Sequence, residues 1–335
     1  MVMKVAGKKS RTFWNKLPKP FFVLAPMANV TDFAFRSMIA KYGKPDVMWN
    51  EFVSANGLCS PGRARLMYDL KFSSKERPIV AQLFTGDPVS MKKAAQLCAE
   101  LGFDGIDLNM GCPDRAIEKQ GSGAGHIKDP QNAIAVLAAA REGAQRNSKP
   151  IPVSVKTRIG YNKLDMEWLR TMLMQKPPAL TVHLRTRKEM SDVPAHWELM
   201  PDIVKLRDEV SSETLIIGNG DVQNISEAAD KCSKYGCDGV MIGRGIFGTP
   251  WLFDKKSKKE KTPKERLTIM LEHTKLFEKT YCGAKRLKNF AVMKKHFKAY
   301  VSGWDGAKEL RAKLMETNNY KEVKGIVEGY LKAQP

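Results

Sequence analysis

Short apolar runs rich in β-branched residues recur along roughly the first 250 residues, and stretches of helical periodicity separate them. Strands that alternate with helices in this way are typical of βαβ units and of a parallel sheet. We predict eight strands, at Phe21–Met27, Asp46–Val53, Pro78–Phe84, Gly105–Gly111, Ile151–Arg158, Ala179–Arg185, Thr214–Gly220 and Gly239–Gly245. The predicted helices between them include Pro88–Leu101, which Asp87 caps, Pro130–Ala144 and Ile225–Tyr235.

Eight strand–helix repeats over about 230 residues favour a (β/α)8 TIM barrel over a doubly wound sheet. The first predicted strand lacks the Gly-x-Gly-x-x-Gly sequence that follows it in Rossmann folds. After Trp251 the composition changes, because a charged linker at Asp254–Lys264 leads into two amphipathic stretches, Glu265–Tyr281 and Ala284–Val301. We therefore predict an α/β chain with three parts: a basic N-terminal tail at 1–20, a catalytic barrel at 21–254 and a small all-helical domain at 255–335.

The formal charge of +20 is unevenly distributed along the chain. Residues 1–20 contain six Lys or Arg and no acid, residues 251–335 contain 21 against 10 acids, and the remainder contains 29 against 26. A nearly neutral core between basic ends suggests that the ends bind a polyanion, although a solvated lysine-rich surface is the alternative. The helical face expected to bind nucleic acid contains Lys285, Arg286, Lys288, Lys294, Lys295, His296 and Lys298.

Cysteine usage and hydropathy exclude several classes of protein. The six cysteines are scattered and none has Cys-x-x-Cys spacing, so we predict reduced thiols, no disulfide framework and no metal site. Apolar runs stay well short of the ~20 residues that a membrane span needs. We expect a monomeric, cytoplasmic protein without a membrane partner. The acid-free N-terminus leaves an organelle transit peptide, an RNA contact or a disordered tail as alternatives for that segment.

In a TIM barrel the active site lies at the C-terminal ends of the strands, so the polar residues that close the strands should converge. These closing segments are Ala25-Pro26-Met27, Asn50-Glu51, Gln82, Asn109 with Cys112, Lys156-Thr157-Arg158, His183 with Arg185, Asn219-Gly220-Asp221 and Gly243-Arg244-Gly245. The glycines after strands seven and eight expose backbone N–H groups where many such barrels bind phosphate. Lys156 lies on an otherwise apolar strand and needs an anionic partner, either the N1/O2 edge of a flavin or a nearby acid.

The segment Asp107–Pro113 takes a buried strand directly into a turn that contains an amide and a thiol. Gly111 and Pro113 end the strand, which places Asn109 and Cys112 at its C-terminal end. A buried structural cysteine is the alternative interpretation of Cys112.

Taken together, these residues resemble the tRNA-dihydrouridine synthases. The resemblance is carried by Ala25–Asp32, Asn109–Pro113, Lys156–Arg158, His183–Arg187, Gly218–Asp221 and Gly243–Gly245, and it continues into Lys294-Lys295-His296. It covers nearly the whole chain from about residue 21. The resemblance implies reduction of specific uridines in tRNA to 5,6-dihydrouridine, with FMN as cofactor and NADPH as electron donor.

The resemblance also implies a role for each matching residue. FMN would be held by Pro26, Met27, Gln82, Lys156, His183, Asn219, Gly220, Asp221, Gly243 and Arg244. The substrate would be bound by Asn109 and Arg158 at the uracil, and by Arg185, Lys294, Lys295 and His296. Cys112 would donate a proton to C5 while a hydride moves from flavin N5 to C6. A free thiol with a pKa of ~8.5 is mostly protonated at neutral pH and therefore suits a general acid.

Two other functions stay open at this point. An FMN-dependent barrel reductase of a small molecule, similar to a dihydroorotate dehydrogenase, would share the barrel and its glycines but leaves the basic helical region unexplained. An RNA-binding factor with a catalytically silent barrel is opposed by the presence of Cys112, Lys156, Arg158 and His183. His126, which follows the Gly-rich segment after Cys112, is interpreted as a solvated loop residue, or else as a phosphate or RNA contact.

Overall fold

Parallel strands form a closed ring in the computed structural model, which describes residues 12–255, 260–283 and 286–333. The strands are β1 (Phe21–Leu24), β2 (Met48–Trp49), β3 (Val53–Ser54), β4 (Ile79–Phe84), β5 (Gly105–Met110), β6 (Gln145–Arg146), β7 (Lys149–Pro150), β8 (Val153–Arg158), β9 (Ala179–His183), β10 (Leu215–Asn219) and β11 (Gly239–Ile242). The α-helices are α1 (Phe33–Tyr42), α2 (Ala55–Leu58), α3 (Arg63–Leu66), α4 (Pro88–Glu100), α5 (Arg115–Glu118), α6 (Pro130–Gly143), α7 (Met166–Met174), α8 (Met200–Ser211), α9 (Ile225–Tyr235), α10 (Pro263–Phe277), α11 (Val292–Tyr300), α12 (Ala307–Met315) and α13 (Tyr320–Lys332).

The strand order identifies the ring as a TIM barrel. Neighbouring strands of the ring follow the order β1-β11-β10-β9-β8-β5-β4-β2, and every pair in it is parallel. The strand β3 pairs in parallel with the C-terminal end of β4. A parallel bridge between Val23 and Val47 joins β1 to the start of β2 and closes the ring. The short antiparallel pair β6–β7 lies outside it. The predicted barrel is therefore confirmed.

The second predicted strand is broken in the structure, which is a correction to its predicted span. Asn50 follows β2, and its side-chain oxygen accepts a hydrogen bond from the backbone N–H of Gln82 at 2.8 Å. Its side-chain nitrogen donates to the carbonyl of Asp69 at 3.2 Å. The side chain thus takes the place of backbone pairing, and the ladder resumes only at β3.

The predicted helices between the strands are confirmed to within one residue. Asp87 accepts hydrogen bonds from the backbone N–H groups of Val89 and Ser90 and so caps α4, as the sequence predicts. The helix α9 has the predicted bounds and ends at Gly236, whose φ of 76° favours glycine. These helices pack around the barrel and bury one continuous apolar layer against the strands.

Part of the predicted N-terminal tail belongs to the barrel. A 3-10 helix at Phe13–Lys16 inserts Trp14 among the residues inside the barrel, where its ring lies 5.9 Å from that of Trp49 and 6.3 Å from that of Phe21. Trp14 is buried, so residues 12–20 are structural rather than a tail. Residues 1–11 of the predicted tail lie outside the described residues.

The C-terminal helices form a second apolar core that rests against α1. The backbone N–H of Phe33 donates to the Tyr281 hydroxyl at 3.0 Å, and Lys41 pairs with Glu272 at 2.6 Å. The predicted helix at Ala284–Val301 is shorter than expected: of its described residues, 286–301, only Val292–Tyr300 is helical, and residues 286–291 are irregular. The helices α12 and α13 were not predicted. No helix within the described ranges is both long enough and apolar enough to span a membrane.

Candidate active site

The C-terminal ends of the barrel strands surround a cavity of about 240 Å³. Eleven of the predicted site residues line it, namely Pro26, Met27, Lys156, Arg158, His183, Arg185, Asn219, Gly220, Asp221, Gly243 and Arg244. Gln82, Asn109 and Cys112 come from the neighbouring strands β4 and β5 and from the turn after β5. These three residues do not line the cavity, but the pairing of Asn109 with Lys156 on β8 places them next to it, as the barrel prediction requires.

Positive charge dominates the cavity. Of its described lining residues, four are cationic and one is acidic, namely Lys156, Arg158, Arg185, Arg244 and Asp221. The Asp221 carboxylate pairs with both Arg185 and Arg244, the latter at 2.8 Å. Burial and the surrounding cations hold the pKa of His183 well below its usual value, so its ring is neutral and accepts from Arg185 at 3.2 Å. An anionic ligand suits this set of side chains.

Lys156 is the cation that lies deepest on the strands. Burial, together with the positive charge of Arg158, lowers its pKa from 10.5 to about 8, while Asp107 opposes the shift. A lysine in such surroundings is stabilised only by an added negative charge. Asp107 acts on Lys156 only through its charge, and no ion pair among the described residues includes Lys156, which weakens the alternative that Lys156 forms a structural salt bridge.

Two glycines line the cavity just after β10 and β11. Gly220 has a φ of 132°, and a Cβ atom there would lie 2.7 Å from the Cβ of Ala195, so only glycine fits. A Cβ on Gly243 would lie 3.7 Å from the Met27 sulfur and would narrow the cavity. Backbone N–H groups exposed in this way are well suited to bind a phosphate group.

Hydrogen bonds to the backbone hold the turn that contains Cys112. The Cys112 N–H donates to the Asn109 side-chain oxygen at 2.9 Å, and the Cys112 carbonyl accepts from the N–H of Ala124 at 2.9 Å. Gly123 has a φ of 59°, and a Cβ there would lie 2.7 Å from the Cys112 carbonyl, which explains the glycine. Burial raises the pKa of the Cys112 thiol above its usual value, so the sulfur keeps its proton at neutral pH.

A chain of buried hydrogen bonds leads to the same turn, and sequence reasoning missed its first member. Asp107 accepts from Gln82 at 2.7 Å and from Ser154 at 2.6 Å, and Gln82 accepts from Asn109 at 3.3 Å. Burial raises the pKa of Asp107 to about 6. The signal was available, because an aspartate inside an apolar strand needs buried donors.

Comparison with known proteins agrees with this geometry. The sequence model of the dihydrouridine synthases matches residues 23–334. The chain belongs to the dihydrouridine synthase family. The probable tRNA-dihydrouridine synthase of Staphylococcus aureus (strain COL) is 41% identical over 321 residues, which is 95% of each chain. The probable tRNA-dihydrouridine synthase 2 of Bacillus subtilis (strain 168) is 41% identical over 324 residues, covering 96% of this chain and 97% of that protein.

Solved structures support the fold of this dihydrouridine synthase family member. Morphinone reductase superposes on 76% of this chain and 91% of its own, with a TM-score of 0.50 and 12% identity. A likeness at this level of identity concerns the barrel alone. The family consists of flavin-dependent oxidoreductases, and the chain is therefore an enzyme of that class.

Two predictions for the basic helical face of this family member are wrong. His296 is fully buried on α11 between Phe35 and His273, with ring centroids 4.7 Å from each. Burial lowers its pKa well below the usual value, so it is neither exposed nor charged for RNA binding. Its neighbours Lys294 and Lys295 are partly exposed, and Lys298 is exposed. Lys285 lies outside the described residues.

Lys288 also points inward, and this is the second correction. Its Nζ lies 2.6 Å from Glu51 and 3.9 Å from each of Asp32 and Asp69, so three carboxylates surround one ammonium. Burial raises the pKa of Asp32 to about 6, and burial together with Glu51 raises that of Asp69 to about 6. Lys288 therefore joins the helical region to the barrel rather than binding RNA.

The prediction for His126 is wrong as well. Its ring is buried, and Nε2 lies 3.1 Å from the carbonyl of Thr85. The 3-10 helix at Gly123–Lys128 carries it into the core beneath the Cys112 turn.

Another cavity, of about 560 Å³, lies between the barrel and the helical region and is lined by Arg65 and Arg286. The sequence did not indicate Arg65 as a residue of the basic surface, because it lies in the short helix α3 and belongs to no motif.

Proposed function

We propose that this chain reduces specific uridines of tRNA to 5,6-dihydrouridine, with FMN as its resident cofactor and NADPH as the electron donor. Its relatives named as probable tRNA-dihydrouridine synthases match nearly its full length. One observation carries the proposal: Arg158, which lines the cationic cavity, also donates a hydrogen bond to the turn that contains Cys112. A protonated thiol beside an anion-binding cavity suits the addition of one hydride and one proton across a double bond.

The charge of the cavity and its glycines suit an anionic cofactor such as FMN. An excess of cations over carboxylates favours an anionic ligand, and Lys156 needs a negative charge nearby. Glycine backbones at the ends of β10 and β11 leave space for a phosphate group next to N–H donors. We propose that FMN is held by Pro26, Met27, Gln82, Lys156, His183, Asn219, Gly220, Asp221, Gly243 and Arg244.

FMN bound in this cavity would provide hydride chemistry, and the residues of the chain provide the proton and orient the base. Cys112 donates the proton to C5, because its raised pKa keeps the thiol protonated until the base is in place. Asn109 and Arg158 both support the Cys112 turn through its backbone, Arg158 by donating from Nε to the Gly111 carbonyl at 2.7 Å. We assign the same two side chains, with Arg185, to the uracil and its nucleotide.

The tRNA is bound by the basic surface of the helical region, with Lys294 and Lys295 on α11 as its contacts. A target base must leave its stack to reach the cavity, which costs a few kcal/mol. Phosphate contacts made by exposed lysines can offset that cost. Arg65 and Arg286 line the cavity between the helical region and the barrel and extend the same positive surface.

Separate half-reactions test the proposal. Flavin in the purified protein should be reduced by NADPH under anaerobic conditions and reoxidised on addition of unmodified tRNA. Cys112→Ala should keep flavin binding, NADPH-dependent reduction and tRNA binding, but should lose most of the tRNA-dependent reoxidation. The matched control is Cys59→Ala, since Cys59 is exposed and lies at the end of α2. Equal reoxidation rates in the wild type and Cys112→Ala would refute the proton-donor assignment.

A further inference from the structure

Arg187 closes the motif that begins at His183, but neither the cavity nor the proposed chemistry uses it. It lies on the loop after β9, and its guanidinium Nε donates to the carboxylate of Glu118 on α5. Its Nη2 donates to the carbonyl of Pro113 at 3.3 Å. The geometry points to a positioning role: we propose that Arg187, paired with Glu118, holds the Cys112–Pro113 turn in the orientation that proton donation requires.

Three consecutive carbonyls of this turn are bound by three different elements. Arg158 on β8 donates to the carbonyl of Gly111 at 2.7 Å, and the backbone N–H of Ala124 donates to that of Cys112 at 2.9 Å. The third carbonyl, that of Pro113, accepts only from Arg187 among the described residues. The ring of Pro113 fixes its own φ and restricts the backbone of Cys112, so a bond to the Pro113 carbonyl further limits the movement of the turn.

The partners of Arg187 are themselves held in place. Tyr161 donates its hydroxyl to the second oxygen of Glu118 at 3.0 Å, and the Arg187 guanidinium lies 5.5 Å from the centroid of the Tyr161 ring. The backbone N–H of Arg187 donates to the carbonyl of Gly160 at 2.9 Å. The side chains of Arg187 and Glu118 are 19% and 9% exposed, so water weakens this pair less than it weakens a surface pair.

The pair therefore connects the loop after β9 with the helix that directly follows Cys112. Helix α5 is a single turn capped by Asp114, and its last residue is Glu118. Without the pair, the turn keeps its contacts to Arg158 and Ala124 but loses the bond from Arg187 to the Pro113 carbonyl and the link from Glu118 to the loop after β9. A displacement of about 1 Å of a catalytic group costs on the order of a hundredfold in rate, so even a small shift of the thiol is measurable.

Two variants and one control test the proposal, which rests on the proposed function because it concerns the proton donor. The variants are Arg187→Met and Glu118→Gln. The control is Arg170→Met, which removes a pair with Glu167 on the exposed face of α7. The first readout needs no turnover: the rate at which iodoacetamide alkylates Cys112, followed by peptide mass spectrometry. The second readout is the pair of flavin half-reactions, with tRNA affinity measured alongside.

Both variants should alkylate at Cys112 severalfold faster than the wild type and the control, because the turn is released. They should reduce flavin with NADPH at the normal rate and reoxidise it with tRNA about ten- to a hundredfold more slowly. Unchanged alkylation and unchanged reoxidation would overturn the proposal. Normal alkylation with weakened tRNA binding would also overturn it, since Arg187 would then contact RNA. If the wild type shows no tRNA-dependent reoxidation, the proposed function fails while the alkylation rates still test the pair.

Discussion

Replacing Lys156 by methionine tests the electrostatics of the cavity directly. Without flavin, burial lowers the pKa of Lys156 from 10.5 to about 8. One pKa unit corresponds to about 1.4 kcal/mol, so the charged lysine destabilises the flavin-free fold by ~3 kcal/mol at pH 7. Lys156 lines a cavity and water reaches part of it, so we expect Lys156→Met to stabilise the flavin-free protein by about 1–3 kcal/mol.

The sign of the pH dependence follows from the same shift. Between pH 8 and 10.5 the unfolded chain still holds the Lys156 proton while the folded chain has released it, so wild-type stability from this group rises with pH. Well below pH 8 Lys156 is charged in both states, and its charge destabilises the flavin-free fold to the full extent. The advantage of Lys156→Met should therefore be largest near pH 7 and should shrink as the pH approaches 10.5.

Urea unfolding of flavin-stripped protein at several pH values between 7 and 10 measures this difference. Lys205→Met on the exposed side of α8 is the matched control, and it should not change the pH dependence. Added FMN should reverse the order of stability, because only the wild type offers the cation. A variant less stable than the wild type at pH 7, or a difference in stability that does not vary with pH, would show that the buried charge of Lys156 does not destabilise the flavin-free fold.

Three further variants test other parts of the account. Neutralising Lys294 and Lys295 together should weaken tRNA binding. The dependence of log binding constant on log salt concentration, measured by filter binding, should become shallower by up to about two counterions. An unchanged dependence would mean that tRNA binds elsewhere. His296→Phe should preserve tRNA affinity and stability in denaturant titrations, since the ring is buried against Phe35; loss of affinity alone would contradict that burial. Burial and Glu51 raise the pKa of Asp69 from 3.8 to about 6, so Asp69→Asn should raise stability above pH 6 by about 1–3 kcal/mol, and the gain should vanish as the pH falls toward 4; destabilisation at pH 7.5 would contradict this.

The barrel and most of its cavity could be predicted because both follow from local patterns. Each strand is a short apolar run that ends at a polar residue, and parallel packing brings those ends together. Lys156, His183 and Asn219 therefore reach one cavity without any knowledge of their contacts. The break after β2 could not be predicted in this way, because it depends on where the Asn50 side chain bonds to Gln82.

The helical region shows why charge alone misplaces residues. His296 lies at helical spacing with Met293, Phe297 and Tyr300, and this face of α11 is buried. The neighbouring lysines made the segment look basic throughout, although the apolar spacing indicated the buried face. Lys288 is different, because the carboxylates that surround it come from residues more than 200 positions away. A pairing of that kind leaves no signal in one sequence.

The most direct test of the central claim is the mass of the nucleosides from unmodified tRNA incubated with the protein, FMN and NADPH, with Cys112→Ala in parallel. We expect a uridine to gain the mass of two hydrogens with the wild-type protein, and Cys112→Ala to form far less of this product. If FMN binds and no uridine in any tRNA gains that mass, the account is contradicted, and a barrel reductase of a small molecule becomes the better interpretation.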